Sequence, residues 1–288
     1  MRDIPTSPRI IEIRHNRRIH TLRMVVLFLI LFITIVWALS FFSNSNKMAI
    51  NNVVITGVHI IDKEKIEAEV NKNISGKYVR LFAKSNSFIY PRNKIYNNLL
   101  LNFPRIESFS VYRDGLKTLH VDITERTGSF LYCGENIPEN KDEVGENCYF
   151  INNDGFIFDK APYFSGNVYF KYYLMVSNGS ATPLGMQMLG VEEFHRIARF
   201  IDGVSSVGFK PIYIVISQDG TNYLYLEHEE DKSIPNIIFK NDDDLDVIQD
   251  NLALAMRKKE FADEVNSKYN TLLYIDLRFK NKVLYKFQ

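Results

Sequence analysis

The chain has 288 residues, of which 46% are hydrophobic and 24% charged, a composition typical of a folded globular protein and not of a disordered one. Its formal net charge is +1, so no overall basic surface indicates binding to nucleic acid. The charge is nevertheless uneven. Residues 1–23 carry six Arg against Asp3 and Glu12, a charge of +4, which leaves −3 for the remainder. We therefore predict a short basic tail over residues 1–23.

An uncharged apolar segment of 19 residues, Met24–Phe42, follows this tail. As a helix it would be about 28 Å long, close to the thickness of the hydrocarbon core of a bilayer. Trp37, Phe41 and Phe42 stand toward its far end, where aromatic side chains favour a membrane interface. The positive-inside rule then predicts a cytoplasmic tail, one transmembrane helix over residues 24–42, and an extracytoplasmic remainder.

A cleaved signal peptide is the alternative interpretation of the same segment. Ala38-Leu39-Ser40 offers a small-x-small cleavage site. The charged segment before the apolar run is long, however, the run exceeds the usual 7–15 residues, and the site lies inside it. An uncleaved anchor is therefore favoured.

Residues 50–125, after a polar linker over 43–49, have the pattern of a small α+β domain. Strand signals fall at 50–56, 106–112 and 116–125, and a helix is predicted between Asp62, as N-cap, and Gly76. A second helix is predicted over Pro91–Phe103, with a buried stripe of Tyr96, Leu99, Leu100 and Phe103. The order is β-α-α-β-β, in which two helices can cover one face of a three-stranded sheet.

Residues 126–288 are predicted to form a mostly antiparallel β-domain with two helices, over 185–202 and 242–264. The strand signals fall at 130–133, 148–152, 156–158, 168–176, 212–216, 223–227, 237–239, 271–277 and 282–287. Four aspartates crowd the start of the second helix, where the helix dipole favours negative charge: Asp242, Asp243, Asp244 and Asp246. A calcium site there is disfavoured because the spacing of an EF-hand is absent.

The chain has two cysteines, Cys133 and Cys148, which flank an acidic loop. In an oxidising compartment we expect them to form a disulfide, which in the chain-entropy model stabilises the fold by about 3 kcal/mol. Two free thiols are the alternative. Without a CxxC motif or a second pair, a zinc site is not predicted.

Motifs that carry chemistry are missing from the sequence. It has no GxSxG, HExxH, Walker or GxGxxG motif, and its six histidines lack the spacing of metal ligands. We therefore predict no catalytic residue, metal, cofactor or small-molecule substrate. Because a triad can be dispersed along a chain, a membrane-anchored enzyme with a dyad around His195 or His228 remains the alternative.

The C-terminal segment Leu272–Gln288 is apolar and β-rich, and we predict that it provides an edge strand. An edge strand presents unpaired backbone groups to which a partner strand can add. Its cations would discourage self-pairing and attract an acidic partner: Arg278, Lys280, Lys282 and Lys286. The sequence equally allows this strand to pair only within its own sheet.

The order of these segments resembles the bacterial cell-division family FtsQ, called DivIB in Gram-positive bacteria. ITGVHIIDKEKI (Ile55–Ile66) is similar to the opening of the family's POTRA domain. LHVDITERTGSFLY (Leu119–Tyr132) and CYFINNDGFIFD (Cys148–Asp159) resemble its following strands, and YIDLRFKNKVLYK (Tyr274–Lys286) resembles its closing strands. The resemblance implies a POTRA domain over 50–125 and a β-domain over 126–288.

The family's proteins are non-enzymatic scaffolds of the division machinery, so the resemblance implies that function here. It implies recruitment through the POTRA domain and capture of an FtsB-like protein, in complex with an FtsL-like one, by the last strand over Lys280–Lys286. The partner-binding residues carried over are Tyr274, Arg278, Phe279, Lys280, Lys282, Val283, Leu284 and Tyr285. Phe279 stands where many relatives have Tyr. A POTRA module of an outer-membrane system is disfavoured, because no series of barrel strands follows.

Overall fold

The computed structural model describes residues 8–135, 137, 147–164, 167–175, 182–229 and 234–288. Two compact units are formed by the chain. The first comprises the residues up to Leu100 together with Ser108–Thr124, and the second comprises Leu101–Glu107 and Glu125–Gln288. The fold is mixed α+β, with one apolar helix near the N-terminus.

The N-terminal helix α1 extends from Pro8 to Ser43. Its segment His15–Ser43 is long and apolar enough to cross a membrane, and the protein buries none of that segment's apolar stretch. A helix whose large apolar side chains all face outward requires an apolar surrounding. The prediction of one helix suited to spanning a membrane is thus confirmed, and this helix begins earlier than the apolar run.

The first unit contains a three-stranded sheet in the order β1-β5-β4, with β1 parallel to β5. A short hairpin of β2 and β3, which was not predicted from the sequence, lies in the chain between the two helices. The elements are β1 (Asn52–Thr56), α2 (Lys63–Ile74), β2 (Lys77–Tyr78), β3 (Phe82–Ala83), α3 (Arg92–Asn102), β4 (Ile106–Asp114) and β5 (Thr118–Glu125).

Local signals explain the helices of this unit. The Asp62 carboxylate accepts a hydrogen bond from the Glu64 N–H at 3.0 Å, as the predicted N-cap of α2. On α3 the buried residues are Ile95 and Leu99, whereas Tyr96 is exposed and stacks on Phe109. The predicted stripe was therefore wrong at Tyr96, because the face toward the core begins one residue earlier.

The second unit is built on a nine-stranded sheet in the order β14-β13-β12-β11-β10-β9-β6-β7-β8. Five of its eight neighbouring pairs are antiparallel, and β6–β9, β9–β10 and β12–β13 are parallel. Its strands are β6 (Phe130–Tyr132), β7 (Tyr149–Ile151), β8 (Ile157–Lys160), β9 (Lys171–Leu174), β10 (Pro211–Ile216), β11 (Thr221–Leu226), β12 (Asn236–Lys240), β13 (Leu272–Asp276) and β14 (Leu284–Phe287).

Three helices pack on one face of this sheet, where two were predicted. They are α4 (Val191–Ser206), α5 (Leu245–Arg257) and α6 (Lys259–Ser267). The long helix predicted over 242–264 breaks at Lys258, whose ψ of 116° is extended. Since Lys favours helices, the intrinsic propensity of residue 258 does not explain this break. Residues 185–190, predicted as helix, precede α4 in non-helical conformation.

The core of the second unit lies between this sheet face and the helices. Phe200 of α4 packs on Phe239 of β12 with ring centroids 4.6 Å apart. Leu252 of α5 and Val265 of α6 are buried in the same cluster, so all three helices contribute to it. This packing fixes α6 against the sheet near β13 and β14.

Gly57 ends β1 where the backbones of the first unit approach closely. Its φ is +79°, and a Cβ built there would lie 2.0 Å from the Ile123 carbonyl oxygen of β5. Gly115, in the turn between β4 and β5, has a φ of +66° but nothing within 4 Å of such a Cβ. Conformation and close contact therefore both require glycine at position 57, and conformation alone requires it at 115.

We expect Gly57→Ala to destabilise the fold by about 2–4 kcal/mol, since it adds a backbone clash to the strain of positive φ. Gly115→Ala is the matched control and should cost only about 1 kcal/mol. Thermal unfolding of the full chain in detergent, followed by circular dichroism, measures both. Equal losses from the two variants would contradict the close approach at Gly57.

Candidate partner-binding edge strand

Strand β14 forms one end of the nine-stranded sheet and pairs antiparallel with β13. In this register Tyr285 lies opposite Ile275, and Leu284 lies opposite Asp276. The strand begins at Leu284, later than the predicted Lys282, because Lys280 and Asn281 form the turn between the strands. Asn281 takes a φ of +59°, a left-handed conformation that Asn tolerates better than most residues.

The backbone of β14 has one side directed at β13 and one directed away from it. The Gln288 N–H donates to the Thr271 carbonyl at 2.8 Å, so residue 288 points toward β13. Backbone groups alternate along a strand, so those of Lys286 and Leu284 also face β13, and those of Tyr285 and Phe287 face outward. Within the described residues, no strand lies along this outward side.

The opposite end of the sheet, β8, is covered. The Ile157 N–H donates to the Met186 carbonyl at 2.9 Å, and the Gly185 N–H donates to the Ile157 carbonyl at 2.8 Å. Arg105 adds an ion pair with Asp159 on the same strand. The outward backbone groups of Ile157 are thus occupied, which opposes strand addition at that end, whereas those of Tyr285 and Phe287 on β14 have no strand beside them in the described chain.

Helix α6 supports β14 from the core side of the sheet. The Tyr285 hydroxyl donates to Glu264 at 2.9 Å, and the Tyr285 ring packs edge-on against Phe261 at 5.0 Å. Lys268 pairs with Glu264 at 3.0 Å and lies 5.4 Å from the Phe287 ring centroid. Hydrogen bonds from Lys268 and then Tyr285 lower the pKa of Glu264. The edge strand is therefore held in place by Phe261 and Glu264, neither of which was predicted from the sequence.

The turn before β14 is fixed by an ion pair. Asp276 is buried, and its carboxylate accepts bonds from Arg278 Nε at 2.9 Å and Nη2 at 2.6 Å. Burial acts to raise the pKa of Asp276, but the hydrogen bonds and charge of Arg278 outweigh it, so the net pKa is lowered. The pKa of Arg278 is raised, chiefly by its bond to Asp276. Arg278 thus holds the turn that presents its neighbour Phe279.

The structure places the remaining predicted residues in three settings. Phe279 and Leu284 are exposed, at 49% and 43% of their surface, and Lys280 and Lys282 are exposed in and after the turn. Tyr274 is half-buried in β13. Val283 is half-buried and packs on the core, which gives it a structural contact as well. The exposed members lie in and after the turn that precedes β14 and at the first residue of that strand.

Cys133 and Cys148 form a disulfide between the end of β6 and the start of β7. Five strands separate β6 from β14, or more than about 25 Å at the usual strand spacing. The disulfide therefore belongs to a different part of the sheet from the edge strand. Of the loop that it closes, residues 136 and 138–146 lie outside the described part of the chain.

The histidines considered for catalysis show one notable pair. His195 Nε2 lies 3.1 Å from Asp154 Oδ1, with both side chains about half exposed. Asp243 and Asp244, considered for calcium, instead accept hydrogen bonds from the backbone of Lys240 and Val247. Among the described residues, no group of three His, Cys, Asp or Glu side chains is placed to hold a metal ion.

Comparison with the sequence models of known protein families gave no match, and a search of curated proteins gave none either.

Because Arg278 compensates a buried carboxylate, we expect Arg278→Gln to destabilise the chain by about 1–2 kcal/mol at pH 7. A carboxyl group whose pKa is lower in the folded chain than in the unfolded chain stabilises the fold at pH values above its unfolded pKa. This stabilisation is lost as the pH falls through the folded pKa. The loss in free energy of unfolding caused by Arg278→Gln should therefore become smaller at pH values below the ordinary pKa of Asp, near 3.8. Thermal unfolding at pH 7 and pH 3 tests this.

Arg199→Gln, at an exposed position on α4, is the matched control, and its unfolding temperature should stay close to that of the wild type at both pH values. A loss that is the same at both pH values would show that Arg278 acts through packing and not through the charge of Asp276.

Proposed function

We propose that this protein is a non-enzymatic scaffold of the bacterial division machinery, of the FtsQ/DivIB type. Helix α1 anchors it in the cytoplasmic membrane, with the basic tail inside and both units outside. The first unit serves as a POTRA domain that contacts other membrane proteins of the divisome. The last strand captures an FtsB-like protein, which is bound to an FtsL-like one.

The observation that carries this proposal is the difference between the two ends of the nine-stranded sheet. Residues 185–186 hydrogen-bond to Ile157 at the start of β8, while in the described chain the outward groups of Tyr285 and Phe287 on β14 have no strand beside them. A partner strand added to β14 would satisfy these groups and extend the sheet. The resemblance of Tyr274–Lys286 to the family's closing strands supports the same edge.

Charge supports a partner other than a second copy. The segment Leu272–Gln288 carries four cations, Arg278, Lys280, Lys282 and Lys286, against the single acid Asp276. Two copies of such a strand would repel each other, whereas an acidic strand would be attracted. The exposed Phe279 and Leu284 provide apolar contacts beside this charge.

Phe279→Glu should abolish co-purification of co-expressed FtsB-like and FtsL-like proteins of the source bacterium. The substitution puts a charge where an apolar anchor contacts the partner, and a lost anchor costs about 2 kcal/mol or more of binding energy. Because Phe279 is half exposed, the unfolding temperature of the full chain should stay nearly unchanged. Pull-down from detergent-solubilised membranes measures the capture.

Phe88→Glu, which changes an exposed Phe of the first unit, is the matched control and should leave capture intact. Tyr285→Pro removes an outward N–H together with the contacts of Tyr285 with Glu264 and Phe261, so it should also abolish capture. Normal capture by both Phe279→Glu and Tyr285→Pro would refute the edge strand as the receiving site.

A fluorescent fusion of the full chain should concentrate at midcell in dividing cells, because a divisome scaffold is recruited there. The control is the same fusion carrying Phe279→Glu, which should still reach midcell if recruitment depends on the first unit. Uniform membrane fluorescence of the wild-type fusion would contradict the division function and leave the anchor unaffected.

A further inference from the structure

The hairpin of β2 and β3 is attached to the last turn of α1. The Leu81 carbonyl accepts hydrogen bonds from Ser40 Oγ at 2.8 Å and from Asn44 Nδ2 at 2.7 Å. Ser40 precedes Phe42, the end of the apolar run, by two residues, or about 3 Å along the helix axis. The tip of the hairpin therefore lies at the level where α1 leaves the apolar phase.

The segment after α1 is held by further hydrogen bonds, so it is not a free linker. The Ala83 N–H donates to Ser43 Oγ at 3.1 Å, and Asn86 Nδ2 donates to the Ser43 carbonyl at 3.2 Å. The Ser87 N–H donates to the Met48 carbonyl at 2.9 Å. Ser43 and Asn86 are buried, which makes this junction part of the fold of the first unit. The hairpin is thus kept in one position relative to the end of α1.

The hairpin turn uses residues that are unfavourable for its backbone. Val79 and Arg80 have φ angles of +48° and +62°, and the Leu81 N–H donates to the Tyr78 carbonyl at 2.9 Å. A turn with two left-handed residues favours Asn-Gly, and a β-branched Val there is strained. Val79 is also 86% exposed, so no packing within the described protein compensates the strain.

Charge around the tip has a single sign. Residues 75–90 contain three cations, Lys77, Arg80 and Lys84, and no acid. Lys77 and Arg80 are exposed, and Lys84 is half-buried near the Tyr78 ring. An exposed apolar tip flanked by cations matches the interface of a bilayer, which takes apolar side chains between headgroups and binds cations at anionic lipids.

We propose that the β2–β3 hairpin is a second membrane contact, which dips Val79 and Leu81 into the bilayer surface while Lys77 and Arg80 bind anionic lipid headgroups. This inference rests on the anchoring of α1 in the proposed function. With two points of contact, the first unit has a fixed tilt on the membrane. An unstrained Asn-Gly turn would lack both the apolar side chain of Val79 and the basic side chain of Arg80. The membrane contact therefore explains why these two residues stand in the turn.

Depth-dependent quenching of tryptophan fluorescence tests this, because Trp37 is the single Trp of the chain. The wild type, W37F/V79W and W37F/I60W are reconstituted into nanodiscs of phosphatidylcholine and phosphatidylglycerol, with or without brominated acyl chains. The probe at position 79 should lose about half of its emission to bromines near the headgroup end and show a blue-shifted maximum, as interfacial side chains do.

Ile60 is the matched control, since it is 64% exposed and follows the end of β1 that is opposite the α1 junction. The probe at position 60 should emit as in water and remain unquenched. If position 79 behaves like position 60 while Trp37 of the wild type is quenched, the hairpin contact is refuted and the anchor stands. If Trp37 is unquenched too, the anchor fails and the hairpin contact fails with it.

Two further variants keep the result interpretable. W37F/L81W places a probe on the other exposed apolar residue of the tip and keeps both cations, so it should be quenched like W37F/V79W, and loss of quenching from local misfolding at one position is detected. Adding K77Q/R80Q to W37F/V79W should shift the probe toward water in anionic nanodiscs only. An equal shift in pure phosphatidylcholine, or none in either lipid, would overturn the role of the headgroup charge.

Discussion

An open β-sheet has two ends, and the backbone N–H and C=O groups of each end strand must find partners or water. In the second unit these ends are treated differently. Main-chain bonds from residues 185–186 occupy Ile157 of β8, and Arg105 forms an ion pair with Asp159 of the same strand. On β14, the outward groups of Tyr285 and Phe287 have no strand beside them in the described chain. This asymmetry gives the sheet one direction in which it can be extended.

A second constraint comes from α1, whose apolar surface the protein does not bury. In the proposed function a membrane satisfies that surface, and it also confines whatever is attached to the helix to one plane. The hydrogen bonds of Ser43 with Ala83 and Asn86 transmit this confinement to the first unit, because they leave no free linker between helix and domain. Binding partners that carry their own anchors would then meet the first unit in two dimensions, which raises their effective concentration.

Much of this fold can be predicted from local sequence. The apolar run, the Asp62 cap and the alternation of Leu119 and Val121 each follow from short-range chemistry. The hydrogen bonds between residues 185–186 and Ile157 of β8 cannot be predicted in this way. They join main-chain groups of distant segments, which leave no periodic pattern in the sequence. The break at Lys258 and the turn at Val79 were missed for a related reason: each residue intrinsically favours a conformation other than the one it adopts.

The sequence of the C-terminal segment allowed two interpretations, a strand paired within its own sheet or an edge open to a partner. The geometry makes these compatible, since β14 pairs with β13 through one side of its backbone and faces outward with the other. Its internal contacts matter for binding. Tyr285 is held by Glu264 and Phe261, so the strand is already ordered before any partner arrives. An ordered template lowers the loss of conformational entropy on association, so a short added strand can bind with useful affinity.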